Sequence, residues 1–379
     1  NSYSITVNAK DASNTTTKAV TINVTDVNEA PSITSGATGS VAENTATSTV
    51  VYTATATDPE SDTLSYALTG TDAASFSIDA TTGQVKLLTP ADFETKSSYS
   101  ITVNAKDASN TTTQAVTLNV TDVDEAPSFT SGATGSVAEN AATGTVVYTA
   151  AASDPETGTV TYSLSGTDAS AFSIGSSTGV VTLNASADYE TKSSYSLSVI
   201  ASDAASHTVS KTVTISVSDV NEAPTAANFT SAGLDNTTAM TGASVGTLAA
   251  VDPDAGDTHT FTLVAGNGTN DADNSKFTIT GNTLKVDGAA LTAGTYHVLT
   301  RATDAGGLTV DQAQTITISA VPVITSGASG SVAENAATST VVYTTAATDA
   351  DSDALTYALT GTDAASFSID ATTGQVKLL

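Results

Sequence analysis

Within Ser98–Thr121 apolar and polar residues alternate one by one over two stretches. Tyr99, Ile101, Val103 and Ala105 are spaced by Ser100, Thr102 and Asn104, and Val116, Leu118 and Val120 by Thr117 and Asn119. A period of two belongs to strands with one face buried and the other wet. The same reading predicts strands over 49–57, 63–69, 75–78 and 84–88. The turn signals Asp58-Pro59, Gly70-Thr71-Asp72 and Thr82-Gly83 separate them. With the stretch after Pro31 this makes seven strands in about 96 residues, and no helical period interrupts them.

Seven short strands in one unit predict an all-β fold, a two-sheet Greek-key sandwich of immunoglobulin type. The expected core is thin, made of Val, Ile, Leu and Ala with one or two Tyr and one Phe. Tyr66, Tyr99, Tyr162 and Tyr195 fall on core-facing positions and read as packing groups rather than a sugar platform.

The pattern repeats along the chain. Asn1–Pro31 returns almost letter for letter as Ser97–Pro127, a period of 96. The phrase Ser35-Gly-Ala-Thr-Gly-Ser-Val-Ala-Glu-Asn44 recurs at 131–140 and, with one change, at 326–335. The expected units are 1–30, 31–126, 127–223, 224–321 and 322–379. The first carries the last two strands of a repeat and the last carries the first five, so neither closes a sandwich alone and both leave sheet edges unpaired. With Asn1 in place of an initiator, the chain reads as a piece of something longer.

A length of 379 residues suits three to four such domains. Lys and Arg total 11 against 39 Asp and Glu, a net charge of −28, and the basic residues are scattered singly, which argues against nucleic acid as a partner. Acidity with 5% aromatic residues also fits disordered chains, but those lack the strict alternation seen here. Without cysteine there are no disulfides and no thiolate metal sites. No apolar run is long enough to span a bilayer.

The first three units close on an acidic phrase that leads into proline: Asp26-Val-Asn-Glu-Ala-Pro31, Asp122-Val-Asp-Glu-Ala-Pro127 and Asp219-Val-Asn-Glu-Ala-Pro224. Proline cannot donate to a sheet, so a strand stops here. Three oxygen-bearing side chains in four residues suit a hard cation such as Ca²⁺, which takes several carboxylate and carbonyl ligands at once. The plain alternative is a solvated linker. Turn chemistry needs one Asp per turn and does not account for the recurring Glu of Val-Ala-Glu-Asn, which favours the cation.

The motifs Val41-Ala-Glu-Asn44, Asp58-Pro-Glu60, Phe76–Val85, Asp92-Phe-Glu94, Ala105-Lys-Asp107 and Asp122–Pro127 resemble, in order and spacing, the motif set of cadherin repeats. The bacterial cadherin-like arrays of large surface adhesins look most similar. The resemblance implies Ca²⁺ held at each junction by both neighbouring repeats, in a rod-like extracellular protein of adhesion at the cell surface or secreted. Between units 31–126 and 127–223 it implies Glu43, Asp92, Glu94, Asp122, Asp124 and Glu125 meeting Asp154, Glu156 and Asp203. At the next junction the counterparts are Glu139, Asp188, Glu190, Asp219, Asn221 and Glu222 with Asp252, Asp254 and Asp304. At the first they are Asp26, Asn28, Glu29, Asp58, Glu60 and Asp107. Glu60 and Glu156 stand where the family usually has Asp, and the linker is one residue shorter than in animal cadherins.

Unit 224–321 departs from this pattern. Asp235-Asn236 replaces Glu-Asn, Leu291–Tyr296 replaces the Asp-Phe-Glu segment, and the strand before Ala320-Val321-Pro322 runs on without the acidic linker. The junction at Val321 is therefore expected to bind calcium weakly or not at all and to concentrate bending. Asp287 and the loop Asn270–Asn274 offer substitute ligands. His207, His259 and His297 read as ordinary strand histidines, and no Gly-x-Ser-x-Gly elbow or His-Glu-x-x-His pair points to an enzyme. Three functions follow: a calcium-stiffened stalk, direct adhesion to like repeats or to a host or surface ligand, and accessory modules of a secreted polysaccharide-active enzyme.

Overall fold

The computed structural model describes residues 1–379. Its elements are β-strands with a few single 3-10 turns. The chain divides into two compact units, one of residues 1–135, 144–184 and 196–214 and the other of 136–143, 185–195 and 215–379. The division runs through repeat 127–223, and each junction described below lies inside one unit.

Repeat 31–126 lies wholly in the first unit. Thr38–Ala42, Thr111–Thr121, Ser98–Lys106 and Ser65–Thr69 form a four-stranded sheet in that order. Thr38–Ala42 runs parallel to its neighbour and the other pairs are antiparallel. Val50–Thr53, Gln84–Leu87 and Phe76–Ile78 form a three-stranded sheet, and Ser32–Ile33 pairs with Ala56–Thr57 as a short ribbon. Two of the seven expected strands are thus each broken in two, the first dividing between ribbon and sheet. The second breaks at Ala54, where Gly83 crosses at close range with φ 68°; a Cβ on Gly83 would stand 2.2 Å from the Ala54 carbonyl oxygen.

The alternation in sequence becomes the core. Ile101, Val103, Val116 and Leu118 are all but fully buried and pack with Val41, Phe76, Val85 and Leu87, while Tyr66 and Tyr99 are half-buried at its margin. Phe76 meets Tyr99 edge to face with ring centroids 5.2 Å apart.

The same nine residues, Ser-Tyr-Ser-Ile-Thr-Val-Asn-Ala-Lys, form the strands Ser2–Lys10 and Ser98–Lys106. Both pair with the following strand in the same register, Ile5 opposite Val20 and Ile101 opposite Val116. Ile5 is 45% exposed and Ile101 0%. Local pattern makes the hairpin, and a facing sheet makes the core.

In 322–379 the sheet of Val341–Thr344, Gln375–Leu378 and Phe367–Ile369 is present. The expected strand over 354–360 is not. Its counterpart Ser65–Thr69 is held by Ser98–Lys106, which has no equivalent before Leu379, so its backbone lacks a ladder partner.

Repeat 224–321 builds its own sandwich. Ala226–Ser231, Ser244–Val251, Thr283–Val286 and Phe277–Thr280 form one sheet, and Thr260–Leu263, Gly294–Thr303 and Thr309–Ile318 the other. Its core is Val245, Phe277, Leu284, Tyr296, Val298, Ile316 and neighbours. The first strand is not divided here. It pairs with the second over six residues, and only an isolated bridge from Asp235 to Ser319 marks the place of the parallel strand.

Candidate functional site

At the end of strand Thr38–Ala42 the chain turns inward and Glu43 is 4% exposed. A buried carboxylate needs donors. Glu43 Oε2 accepts the Phe93 N–H at 2.8 Å and Oε1 the Val123 N–H at 2.8 Å, so one side chain fixes both the 92–94 loop and the linker. The carboxylates of Glu43, Glu94 and Asp122 then lie within 4.8 Å of one another. Burial, then the charges of Glu43, Glu156 and Asp124, raise the Asp122 carboxyl above its usual range. The backbone N–H of Glu94 favours its anion, but burial and the charges of Glu43, Asp122 and Glu156 outweigh that and raise it too.

The next repeat brings Asp154 and Glu156 to the same place. Asp154 Oδ1 accepts the Glu156 N–H at 3.1 Å, and Glu156 Oε1 accepts the Glu125 N–H at 2.9 Å. Hydrogen bonding to Glu156 pushes Glu125 up to about 7, while the Glu125 N–H holds Glu156 down to about 2. Below about pH 7, then, Glu125 rather than Glu156 holds the proton of this pair. Asn44 also donates to Glu125. Asp154 Oδ2 and Glu156 Oε2 are buried without a hydrogen-bond partner, and Asp203 Oδ2 is buried with only the His207 imidazole beside it.

The junction from 127–223 to 224–321 repeats the plan. Glu139, 3% exposed, accepts the N–H groups of Tyr189 at 2.8 Å and Val220 at 2.6 Å, and those bonds lower its carboxyl. Glu139, Glu190, Asp219 and Asp254 form a close group. Burial leads the causes that raise Glu190 and Asp219. Asp254 Oδ2 accepts the Glu222 N–H at 2.7 Å, Asn140 donates to Glu222 at 2.6 Å, and Asp254 Oδ1 is buried and unpartnered. At the first junction Glu60 Oε2 accepts the Glu29 N–H at 3.2 Å, Asp58 Oδ1 the Glu60 N–H at 3.0 Å, and Asp58 Oδ2 is again unpartnered.

Not every expected residue joins a group. Asp92 and Asp188 each accept an N–H of their own turn, from Thr95 and Thr191 at 2.7 Å, and stand outside the close clusters. Asp26 is exposed. At Val321, Asp349, Asp351 and Asp353 cluster, and across the joint Asp351 accepts from the Ala320 N–H and the Ser319 hydroxyl. Asp235 spends its carboxylate on Thr237 and Thr238, which hold it at about 2. Asp271 and Asp273 are likewise taken by Gly266, Gly268, Lys276 and the His297 N–H.

Two histidines read as ordinary strand residues are not. His207 lies in the turn before Thr208–Ser218, with Nδ1 2.6 Å from Asp124 Oδ2 and 3.2 Å from Asp203 Oδ2. Burial works to lower its pKa, but the Asp124 hydrogen bond and the two negative charges together raise it. His259 Nε2 lies 2.7 Å from Asp252 Oδ2, close to Asp257. Neither spacing repeats along the chain, so no periodic signal marks them.

Residues 37–121 and 133–218 match the cadherin domain. Among curated relatives, the protocadherin-like wing polarity protein stan of Drosophila melanogaster is 33% identical over 67% of this chain and 8% of its own length. The human protocadherin Fat 1 is 26% identical over 99% of this chain and 9% of its own. The chain thus spans less than a tenth of the length of these relatives. Extracellular cadherin domains 3–6 of protocadherin gamma B2 share the fold with a TM-score of 0.55 at 20% identity, covering 92% of this chain and 90% of that one. Domains EC22–24 of mouse cadherin-23 give 0.53 at 23%, covering 77% and 99%. Two of its repeats match the cadherin domain, and the chain as a whole is a tandem array of β-sandwich repeats like those of its solved neighbours.

Proposed function

We propose that this chain is a calcium-stiffened extracellular repeat array, the stalk or adhesive region of a large cell-surface protein. The observation that carries the reading is the set of buried carboxylate oxygens left without hydrogen-bond partners at three junctions: Asp58; Asp154 and Glu156; and Asp254. Stripping a carboxylate of water without giving it a donor costs several kcal/mol, roughly 2–7 for a polar group and more for an ion. A hard divalent cation with oxygen-only ligands offsets that cost, and this donor set is nearly all carboxylate.

Glu43, Glu94, Asp122, Glu125, Asp154 and Glu156 would hold calcium at one junction, with Asp124 and Asp203 beside them. Glu139, Glu190, Asp219, Glu222, Asp252, Asp254 and Asp304 would do so at the next. The ion supplies charge neutralisation and a shared coordination shell, and the chain supplies two repeats that neither slide nor rotate once both contribute oxygens. The extracellular placement rests on the likeness to protocadherin gamma B2, whose solved domains are described as extracellular. For its origin we propose a bacterial surface adhesin, on the near-identity of successive repeats. The relatives named above are animal proteins, and the genome that encodes the chain decides the point.

The test is thermal unfolding in chelator and in millimolar calcium. A ligand that binds only the folded state at a hundred times its Kd adds about 2.7 kcal/mol per site. The unfolding temperature is expected to climb with calcium, and an unchanged value would remove the proposal.

A further inference from the structure

The junction between 31–126 and 127–223 differs in one chemical respect from those on either side of it. In the flanking junctions an asparagine of the linker donates to a buried loop aspartate: Asn28 Nδ2 to Asp107 Oδ2 at 3.1 Å, and Asn221 Nδ2 to Asp304 Oδ2 at 2.9 Å. At the middle junction the linker residue is Asp124, which brings a second carboxylate and no donor to Asp203. The loop compensates with a nitrogen. Asp203-Ala-Ala-Ser-His207 precedes its strand, where the first repeat has the shorter Asp107-Ala-Ser-Asn110 and the third has Asp304-Ala-Gly-Gly-Leu308. His207 and Leu308 share a backbone arrangement, each N–H donating to the loop aspartate at 2.8 and 2.7 Å, so the imidazole is the part that is particular to this junction.

We propose that Asp124, Asp203 and His207 form a binding site for a nitrogen-accepting divalent ion of the zinc class. The two carboxylate oxygens and His207 Nδ1 lie within 4.8 Å of one another. The Asp203 side chain is 3% exposed, and its Oδ2, facing the group, meets no donor other than the His207 imidazole at 3.2 Å. Around a tetrahedral ion with bonds of ~2.0–2.1 Å, neighbouring ligand atoms stand ~3.3 Å apart. The 3.2 Å from His207 Nδ1 to Asp203 Oδ2 already matches that, and the 2.6 Å to Asp124 Oδ2 has to open slightly. The means are there: the His207 side chain is 48% exposed and that of Asp124 42%, so both can adjust, and water reaches the fourth position. Calcium takes oxygen ligands and gains nothing from imidazole, whereas one nitrogen with two carboxylate oxygens suits zinc and its first-row neighbours. The site goes beyond the calcium reading and draws on two of the same carboxylates, so the two ions compete at Asp124 and Asp203.

The experiment titrates zinc chloride into the metal-stripped 379-residue chain, by calorimetry and by thermal unfolding, for the native sequence, His207→Asn and His259→Asn. Asparagine at 207 keeps an amide donor beside the carboxylates, so the fold is retained. One zinc ion per chain is expected to bind at this site and raise the unfolding temperature. His207→Asn is expected to weaken that binding by more than about tenfold while leaving the response to calcium in place. His259→Asn is expected to leave zinc binding at this site unchanged. Cobalt(II) substituted for zinc is expected to give a visible absorption band that His207→Asn abolishes. Equal zinc binding in His207→Asn, loss with His259→Asn instead, or no zinc response at all would each overturn the site. A calcium response without a zinc response sinks this inference alone, and the reverse sinks only the calcium reading.

Discussion

Glu139 is buried, negatively charged and bonded to two backbone N–H groups that belong to different segments. Replacing it by alanine leaves both amides without an acceptor, at about 1–3 kcal/mol for each group left unsatisfied. Glu139→Ala is therefore expected to lose roughly 2–6 kcal/mol of stability in denaturant titration, in chelator as well as in calcium. Glu139→Gln, which keeps one acceptor, is expected to lose less. The acid at this position was legible from the recurring Val-Ala-Glu-Asn, but its structural duty was not, because the amides it serves lie 50 and 81 residues away in sequence. His207 was invisible for a related reason: its partner Asp124 lies in another repeat, and nothing local marks the pairing.

The acids also fix the sign of a pH effect. In the absence of cations Glu94, Asp122, Glu125, Glu190 and Asp219 titrate above their ordinary values, Glu125 at about 7. Between about pH 5 and 7 the folded chain thus holds more protons than the unfolded one, and stability falls as pH rises. The acids with lowered values, Glu139, Glu156, Asp107 and Asp304, are ionised in both states across this window and add no slope. In chelator the unfolding temperature is expected to be higher at pH 5 than at pH 7. In calcium the order is expected to reverse, since the cation requires the carboxylates deprotonated. A chelated protein more stable at pH 7 than at pH 5 would contradict the assignment.

At the scale of elements, Ser2–Lys10 and Ser98–Lys106 separate what alternation fixes from what it does not. Strand, hairpin and register are the same in both; burial depends on a second sheet that only one of them faces. Amide exchange is expected to be much faster at Ile5 than at Ile101, and similar protection at both would show that the first hairpin finds a partner in solution. The break in the second strand was not legible, because it follows from a crossing between segments rather than from a breaker residue. Gly83 marks that crossing. Gly83→Ala combines a left-handed backbone with a contact of 2.2 Å to the Ala54 carbonyl oxygen and is expected to cost more than about 1 kcal/mol. The absent strand over 354–360 teaches the same lesson: a segment with the right pattern forms no ladder without its partner.

For the whole molecule, the all-β sandwich class was readable from the alternation and the 96-residue period, and the missing acidic linker before Pro322 draws attention to Val321. There the joint uses backbone groups, Ala320 and Val321 donating to Asp351 and Asn236, where other junctions gather carboxylates from both repeats. Calcium is expected to leave this joint unchanged while stiffening the others. Electron micrographs of a chain extended past residue 379, in calcium and in chelator, are expected to show straight segments with a bend about Val321. Equal straightness at every junction would contradict this.

The most direct measurement is calcium binding itself, by calorimetry on the native chain and on a chain carrying Asp122→Asn, Glu156→Gln, Asp219→Asn and Asp254→Asn. These changes keep shape and hydrogen bonding while removing charge from two junctions. The native chain is expected to bind several calcium ions in the range typical of extracellular modules, roughly 10⁻⁴–10⁻³ M. The substituted chain is expected to remain folded and lose most of that binding. Calcium binding that is absent from the native chain, or undiminished in the substituted one, would contradict the account.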